Sequence, residues 1–149
     1  MVLTLAHIGT RTGAKDGFES LTAIYLDRCS AFCRCTAQAF RTEAALLDWC
    51  DRQQGRTVPI MVLFDGAGQQ MNSEAFAKWL GKQRDQGTQH LIFAIGPPDG
   101  WSESARGRAT LVLSLGLWTL PHALARLVVA EQLYRAFTIL SGHPYHCGH

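Results

Sequence analysis

The chain has 149 residues, of which 47% are hydrophobic and 17% charged, and its formal net charge is +2. This length and composition predict one folded globular domain over residues 1–149, and argue against a disordered tail or a membrane protein. No apolar run reaches the roughly 18 residues that span a bilayer, and the chain does not open with a signal-peptide pattern, so we expect a cytoplasmic location and no membrane partner.

Short apolar runs alternate with helix-like stretches along the first 115 residues. The runs predict strands at residues 2–8, 58–64, 91–95 and 110–115. The spacing of apolar residues predicts three helices, the first containing Phe18, Leu21, Tyr25 and Leu26, the second Phe40, Ala44 and Leu47, and the third Phe76, Trp79, Leu80 and Gln83. Asn72 or Ser73 can cap the third helix, and Gly87 can end it. Alternating strands and helices predict a mostly parallel sheet.

A long helix is predicted over residues 121–140. It is apolar on nearly every side, so we expect it to be buried. Glu131 stands four residues before Arg135, which is the favourable order for an ion pair on one helix face. Arg126 and Arg135 are about half a turn out of phase, so they cannot serve one small site of a single subunit.

Three glycine-rich or proline-rich turns follow predicted strands, at residues 64–68, 96–100 and 116–121. Ligands of open parallel sheets bind where the strands end, and glycine lets the backbone come close enough to read an adenine edge. The plainer interpretation is that these are ordinary turns between strand and helix, and the residues alone favour it.

Cysteine usage favours reduced thiols. An odd number of five cysteines argues against a secreted disulfide framework. Cys29, Cys33 and Cys35 are closely spaced, but no matching second pair follows them, so we interpret them as small buried side chains and expect no metal. The net charge of +2 gives only weak support for a nucleic-acid partner.

Several motifs nevertheless carry a family resemblance. TLPHALAR, EQLYRAF and HPYH, within residues 119–146, resemble the C-terminal signature of the ribosomal large subunit methyltransferase H family of the SPOUT superfamily. FDGAGQQMNSEAFAKWL at residues 64–80 and FAIGPPDGW at residues 93–101 are similar to further family motifs. The N-terminal half matches more weakly. This resemblance implies an α/β fold with a mostly parallel sheet, helices on both faces and a C-terminal trefoil knot, a topology that is otherwise rare.

The resemblance also implies an activity and a site. The family transfers a methyl group from S-adenosylmethionine to N3 of a pseudouridine in 23S ribosomal RNA of the large subunit or the 70S ribosome, and it acts as a homodimer. Carried onto this chain, the cofactor-binding residues would be Phe64, Gly96, Gly116, Leu117, Trp118, Thr119, Leu120 and Pro121. The catalytic and RNA-contacting residues would be His122, Arg135, Tyr145 and His146.

Each of these roles has an alternative. His122 could simply cap the helix start, and Arg135 could only pair with Glu131. The protein could also be a SPOUT methyltransferase of another RNA such as tRNA, or a non-catalytic RNA-binding module of the same fold. Two departures from the family pattern, GPPDG in the second turn and Cys147 in place of a cation, predict a stiffer cofactor loop and one fewer RNA contact.

Overall fold

Five parallel strands form the sheet of the protein. The computed structural model describes residues 1–9, 17–53 and 55–147. The strands are β1 (Val2–Ile8), β2 (Arg34–Phe40), β3 (Ile60–Gln69), β4 (His90–Ile95) and β5 (Leu111–Leu113). Their order across the sheet is β2-β1-β4-β3-β5, and every pair is parallel. The parallel sheet predicted from the sequence is therefore confirmed.

Helices cover both faces of this sheet, as predicted. They are α1 (Gly17–Cys29), α2 (Glu43–Asp51), α3 (Ser73–Asp85), α4 (Glu103–Arg108) and α5 (His122–Ser141). One core cluster joins α1, α3 and α5 to one face of the sheet, and a second joins α2 and α4 to the other. Along β1, β3 and β4 the buried side chains alternate between the two clusters, as the pleat of a strand requires.

The second predicted helix is wrong at its start, because Phe40 ends a strand. β2 is an edge strand whose residues are mostly exposed, so it lacks the apolar pattern that reveals a buried strand. Phe40 packs against Trp49 of α2, with ring centroids 5.4 Å apart. The helix itself begins only after Thr42, whose side chain accepts a hydrogen bond from the backbone of Ala45.

The boundaries of α3 and α5 agree closely with the sequence. Asn72 caps α3, and Gly87 beyond its end has a φ of +81° that favours glycine. Helix α5 begins after Pro121 and ends at Ser141, with Gly142 as its C-cap. It packs against both α1 and α3, which confirms that much of it is buried.

Candidate cofactor and RNA site

A cavity of about 300 Å³ lies at the carboxyl ends of β3, β4 and β5. All three turns singled out in the sequence contribute to its wall. Of the eight residues that the resemblance assigns to the cofactor, seven line the cavity: Phe64, Gly96, Gly116, Leu117, Trp118, Thr119 and Leu120. Pro121 lies next in the chain as the N-terminal cap of α5, and His122 lines the cavity as well. The structure thus brings three separate segments together.

The indole of Trp101 forms a wall that the sequence analysis did not assign to the site. Its side chain is 3% exposed, and its Nε1–H donates to the carbonyl oxygen of Phe64 at 3.0 Å. It also lies so close to Gly96 that a Cβ atom there would stand 2.7 Å from the ring. Glycine is therefore required at position 96 to let the indole pack. Trp101 is the last residue of the FAIGPPDGW motif, and this position was the only indication in the sequence that it belongs to the site.

A bulge in β3 carries the first turn towards the cavity. The pairing of β3 with β5 shifts register between Phe64 and Gln69. A Cβ atom on Gly68 would stand 2.6 Å from the backbone of Leu113, so the two strands approach each other more closely there than any larger residue allows. Asp65 accepts a hydrogen bond from the backbone of Ala67. Phe64, Asp65 and Gly66 of this bulge line the cavity.

The third turn is stabilised by two hydrogen bonds of the Ser114 side chain. Ser114 Oγ accepts from the backbone N–H of Gly116 at 3.1 Å and donates to the carbonyl of the same residue at 2.9 Å. Gly116 has a φ of +124°, which disfavours any residue with a side chain. The turn then presents Leu117 and Trp118 to solvent, 89% and 88% exposed. Two large apolar side chains in this position form a rim that none of the described residues covers.

The other predicted residues lie together near the far end of α5. Arg135 donates to Glu131 through Nε at 3.0 Å and Nη2 at 2.5 Å, so the predicted ion pair is confirmed. Tyr145 donates its hydroxyl to the same carboxylate at 3.0 Å. Arg135 Nη1 lies 3.1 Å from Nδ1 of His146, whose Nε2 lies 2.9 Å from Glu74. Arg135, Tyr145 and His146 therefore form one cluster with Glu131 and Glu74.

Hydrogen bonding fixes the roles available in this cluster. An arginine only donates, so Nδ1 of His146 accepts from Arg135 and Nε2–H donates to Glu74, as in a neutral imidazole. The hydrogen bond to Glu131 raises the pKa of Arg135, and the bond from His146 lowers the pKa of Glu74. Burial, with hydrogen bonds to Tyr25 and Glu131, raises the pKa of Tyr145. Tyr145 therefore stays protonated near neutral pH and acts as a donor rather than a base.

His122 does not join this cluster. It stands at the first residue of α5 and Arg135 at the fourteenth, a difference of 13 residues or about 20 Å along a helix. Arg126, on another side of α5, is 5% exposed and pairs with Glu19 of α1 at 3.0 Å. The two arginines thus have different partners, as their phases predicted.

A ligand-sized cavity at the carboxyl ends of a parallel sheet, walled by backbone-rich turns, defines an α/β protein with a cofactor-type site. Comparison with known proteins gives the family. The family model described as "Predicted SPOUT methyltransferase" matches residues 1–146. The chain is 52% identical to a ribosomal RNA large subunit methyltransferase H of Koribacter versatilis, over 91% of this chain and 92% of that protein.

Other relatives agree over shorter stretches. The chain is 56% identical to the ribosomal RNA large subunit methyltransferase H of Brucella ovis over 58% of its own length, and spans 51% of that protein. Among solved structures, the SpoU methyltransferase AviRb from Streptomyces viridochromogenes aligns over 95% of this chain and 60% of its own, with 14% identity and a TM-score of 0.54, a likeness of fold alone. The chain therefore belongs to the SPOUT methyltransferase family, among the ribosomal RNA large subunit methyltransferase H proteins, as the sequence motifs predicted.

Proposed function

We propose that the protein transfers a methyl group from S-adenosylmethionine to N3 of a pseudouridine in 23S ribosomal RNA, within the large subunit or the 70S ribosome. The observation that carries the proposal is the cavity at the ends of β3, β4 and β5, in a chain that is 52% identical to a ribosomal RNA large subunit methyltransferase H along nearly its whole length. Since ribosomes are its substrate, we place the protein in the cytoplasm. Among the described residues, no helix is long and apolar enough to cross a membrane.

The cavity suits a nucleoside cofactor in size and chemistry. Its volume of about 300 Å³ falls at the lower end of the range for small-molecule sites. Apolar side chains such as Leu120 and Trp118 can cover the faces of an adenine ring, while the backbone of the Gly96 and Gly116 turns offers donors and acceptors to its edge. We propose the eight residues from the three turns, Pro121 included, as the cofactor-binding set.

The bound cofactor supplies a methyl group on a sulfonium centre. The residues of the chain must then place the ring nitrogen in line with that methyl group and remove or redistribute its proton. We propose that His122, at the cavity wall, and His146 handle protons, and that Arg135 and the Tyr145 hydroxyl donate hydrogen bonds to the RNA. The network around Glu131 and Glu74 holds these donors in place before the RNA arrives, which limits the entropy lost on binding.

We further propose that two chains share each site. The cavity and the Arg135 cluster are about 20 Å apart along α5, whereas reacting groups must approach to about 3–3.5 Å. Leu124, Leu127 and Val128 form a half-buried apolar surface on one side of α5 that belongs to neither core cluster, and the exposed Leu117 and Trp118 line the cavity. A homodimer that buries this surface would bring the Arg135 cluster of one protomer to the cavity of its partner.

The family also implies a C-terminal trefoil knot, which remains a proposal for this chain. It is supported by the path of the C-terminal region: β5 pairs with β3 at the edge of the sheet, and α5 then returns to pack against α1 and α3. No described group of His, Cys, Asp or Glu residues is arranged to hold a metal ion.

Methyl-labelled S-adenosylmethionine, incubated with undermodified 70S ribosomes, separated subunits and tRNA, tests the proposed function. We expect label in 23S RNA, at a position where nucleoside digestion yields a methylated pseudouridine. Label in tRNA would instead identify another RNA methyltransferase. Calorimetry with S-adenosylmethionine alone completes the test, because a chain that binds no cofactor would be an RNA-binding module without activity.

A further inference from the structure

A groove lies at the end of the molecule opposite the cofactor cavity, where the C-terminal ends of α1, α3 and α5 come together. It is lined by Met1, Phe32, Cys33, Arg34, Arg84, Phe137 and Ser141. The side chains of Arg34 and Arg84 are exposed, and none of the lining residues is acidic. The proposed function gives this groove no role.

The floor of the groove is aromatic. Phe32 and Phe137 stack nearly parallel, with centroids 5.2 Å apart and an interplanar angle of 3°. Phe137 is buried, whereas Phe32 is 40% exposed and so offers part of its ring to solvent. The hydrogen bond with Cys35, and then burial, raise the pKa of the Cys33 thiol, which therefore adds no negative charge to the wall. The groove combines a ring that can stack with fixed positive charge.

Arginines and tyrosines connect the groove to the Arg135 cluster. Phe32 lies 6.5 Å from the ring of Tyr134, and Tyr134 meets Tyr145 edge-on at 4.7 Å. The Arg28 guanidinium lies over the rings of both Tyr25 and Tyr134, at 5.1 and 5.7 Å. A strip of exposed cations and partly exposed rings thus runs from the groove to the proposed RNA-contacting residues.

The helix ends do not by themselves explain these charges. Arg28 and Arg84 lie in the last turns of α1 and α3, where any cation offsets the negative end of a helix. Arg84 also bonds Asp85, its exposed neighbour, at 3.1 Å. Arg34, however, starts the edge strand β2 and terminates no helix. Its exposed guanidinium at an aromatic groove has the chemistry that binds RNA, where phosphates meet arginine and unpaired bases stack on rings.

We propose that this groove, with Arg34 and Arg84 at its rim and Phe32 on its floor, binds a single-stranded segment of the substrate RNA outside the target nucleotide. The inference rests on the proposed function, since it takes the Arg135 cluster as the place where the target nucleotide binds. RNA that leaves this cluster would follow the Tyr134 and Arg28 strip into the groove. The groove would therefore contribute to RNA affinity without contacting the cofactor.

The test compares binding of wild-type protein and the Arg34→Ala/Arg84→Ala double variant to undermodified large subunits and to protein-free 23S RNA, from 50 to 200 mM salt. We expect a Kd about tenfold higher for the double variant on both probes. The dependence of log K on log salt should become shallower by about 1.4, for two lost phosphate contacts on a single strand. Arg56→Ala removes another exposed arginine, outside the groove, and should bind as the wild type does. S-adenosylmethionine affinity should stay unchanged throughout.

Phe32→Leu separates stacking from charge. This variant keeps an apolar floor but removes the ring, so we expect at least about fivefold weaker RNA binding with the same salt dependence. An unchanged Kd and salt slope in the double variant would overturn the proposal. A loss confined to ribosomal particles, absent on protein-free RNA, would also overturn it, because the groove would then bind a ribosomal protein.

The result remains separable from that of the methylation assay. If the wild type methylates ribosomes and the double variant binds them normally, the groove proposal fails and the activity stands. If the wild type transfers no methyl group yet its RNA binding depends on Arg34 and Arg84, the activity fails and the groove stands.

Discussion

The contact between Gly96 and Trp101 provides a sharp test of how the cofactor cavity is built. A methyl group at position 96 would stand 2.7 Å from the indole, which is 3% exposed and cannot move without disturbing the core. Gly96→Ala therefore has to displace the ring and stretch or break its 3.0 Å hydrogen bond to Phe64. Overpacking costs about 1–3 kcal/mol, and a lost hydrogen bond about 0.5–1.5 kcal/mol.

Together these effects predict that Gly96→Ala lowers the free energy of unfolding by about 2–4 kcal/mol. In a chain of this length, the melting temperature should fall by about 5–15 °C. Because the indole is also a cavity wall, S-adenosylmethionine affinity should fall as well. Thermal and urea unfolding measure the first effect, and calorimetry measures the second.

Gly66→Ala is the matched control. Gly66 lines the same cavity, but a Cβ atom there meets no atom within 4 Å, so stability should change little. Trp101→Phe is the second comparison, because its smaller ring lacks the indole Nε1, one of the atoms closest to the new methyl group. In that background Gly96→Ala should cost clearly less than in the wild type. Unchanged unfolding and cofactor affinity in Gly96→Ala itself would refute the packing argument.

Three further changes test other parts of the structure. Leu127→Glu should convert the proposed dimer to monomers in analytical ultracentrifugation, while Val58→Glu, on an exposed loop residue, should not; a dimeric Leu127→Glu protein would contradict the proposed interface. Tyr145→Phe removes one hydrogen bond to Glu131, and we expect a loss of about 0.5–1.5 kcal/mol in urea unfolding and slower RNA methylation at unchanged cofactor affinity. Burial lowers the pKa of His90 below its value in the unfolded chain. The contribution of neutral His90 to stability is therefore complete above about pH 6.5 and is lost as the pH falls through the folded pKa. Between pH 7 and 5 the wild type should lose more stability than His90→Gln.

The sequence predicted the parts of the fold that have a strong local pattern. The strand at residues 2–8 is buried along nearly its whole length, and its apolar run gave its bounds correctly. The Asn72 cap of α3 was visible because a capping side chain acts within three residues of itself. β2 was missed because an exposed edge strand such as Arg34–Phe40 needs few apolar residues, and its pairing partner is 32 residues away in the chain.

The site was predictable only in part, for a related reason. The three turns could be recognised from glycine and proline, but the residues alone did not show that they form one cavity, because that depends on the strand order β4-β3-β5. Glu74 lies in the first turn of α3, yet its carboxylate bonds His146 across 72 residues of sequence. Contacts of this kind depend on how α3 and the C-terminal turn pack together, and no local pattern encodes them.

Mixing two inactive variants would decide whether one site needs two chains. Gly116→Val places a β-branched residue at a φ of +124° and should disable the cavity, whereas Arg135→Ala removes the centre of the other cluster. Each variant alone should be inactive. Random pairing of equal amounts gives half heterodimers, each with one intact site of two, so activity should return to about a quarter of wild type.

That recovery requires the cavity of one protomer to work with the Arg135 cluster of its partner. If the cavity and the cluster of one protomer worked together, each subunit of the heterodimer would lack one of its two parts, the cavity in one subunit and the Arg135 cluster in the other. Mixing would then restore nothing. The control is a chain that carries both changes, mixed with wild-type chain. If sites are shared between protomers, its heterodimers contain no intact site. If each site belongs to one protomer, they contain one intact site, on the wild-type subunit. Shared and unshared sites thus predict opposite outcomes for the heterodimers of the two mixtures. The separation of about 20 Å along α5 between His122 and Arg135 is the reason to expect the shared site.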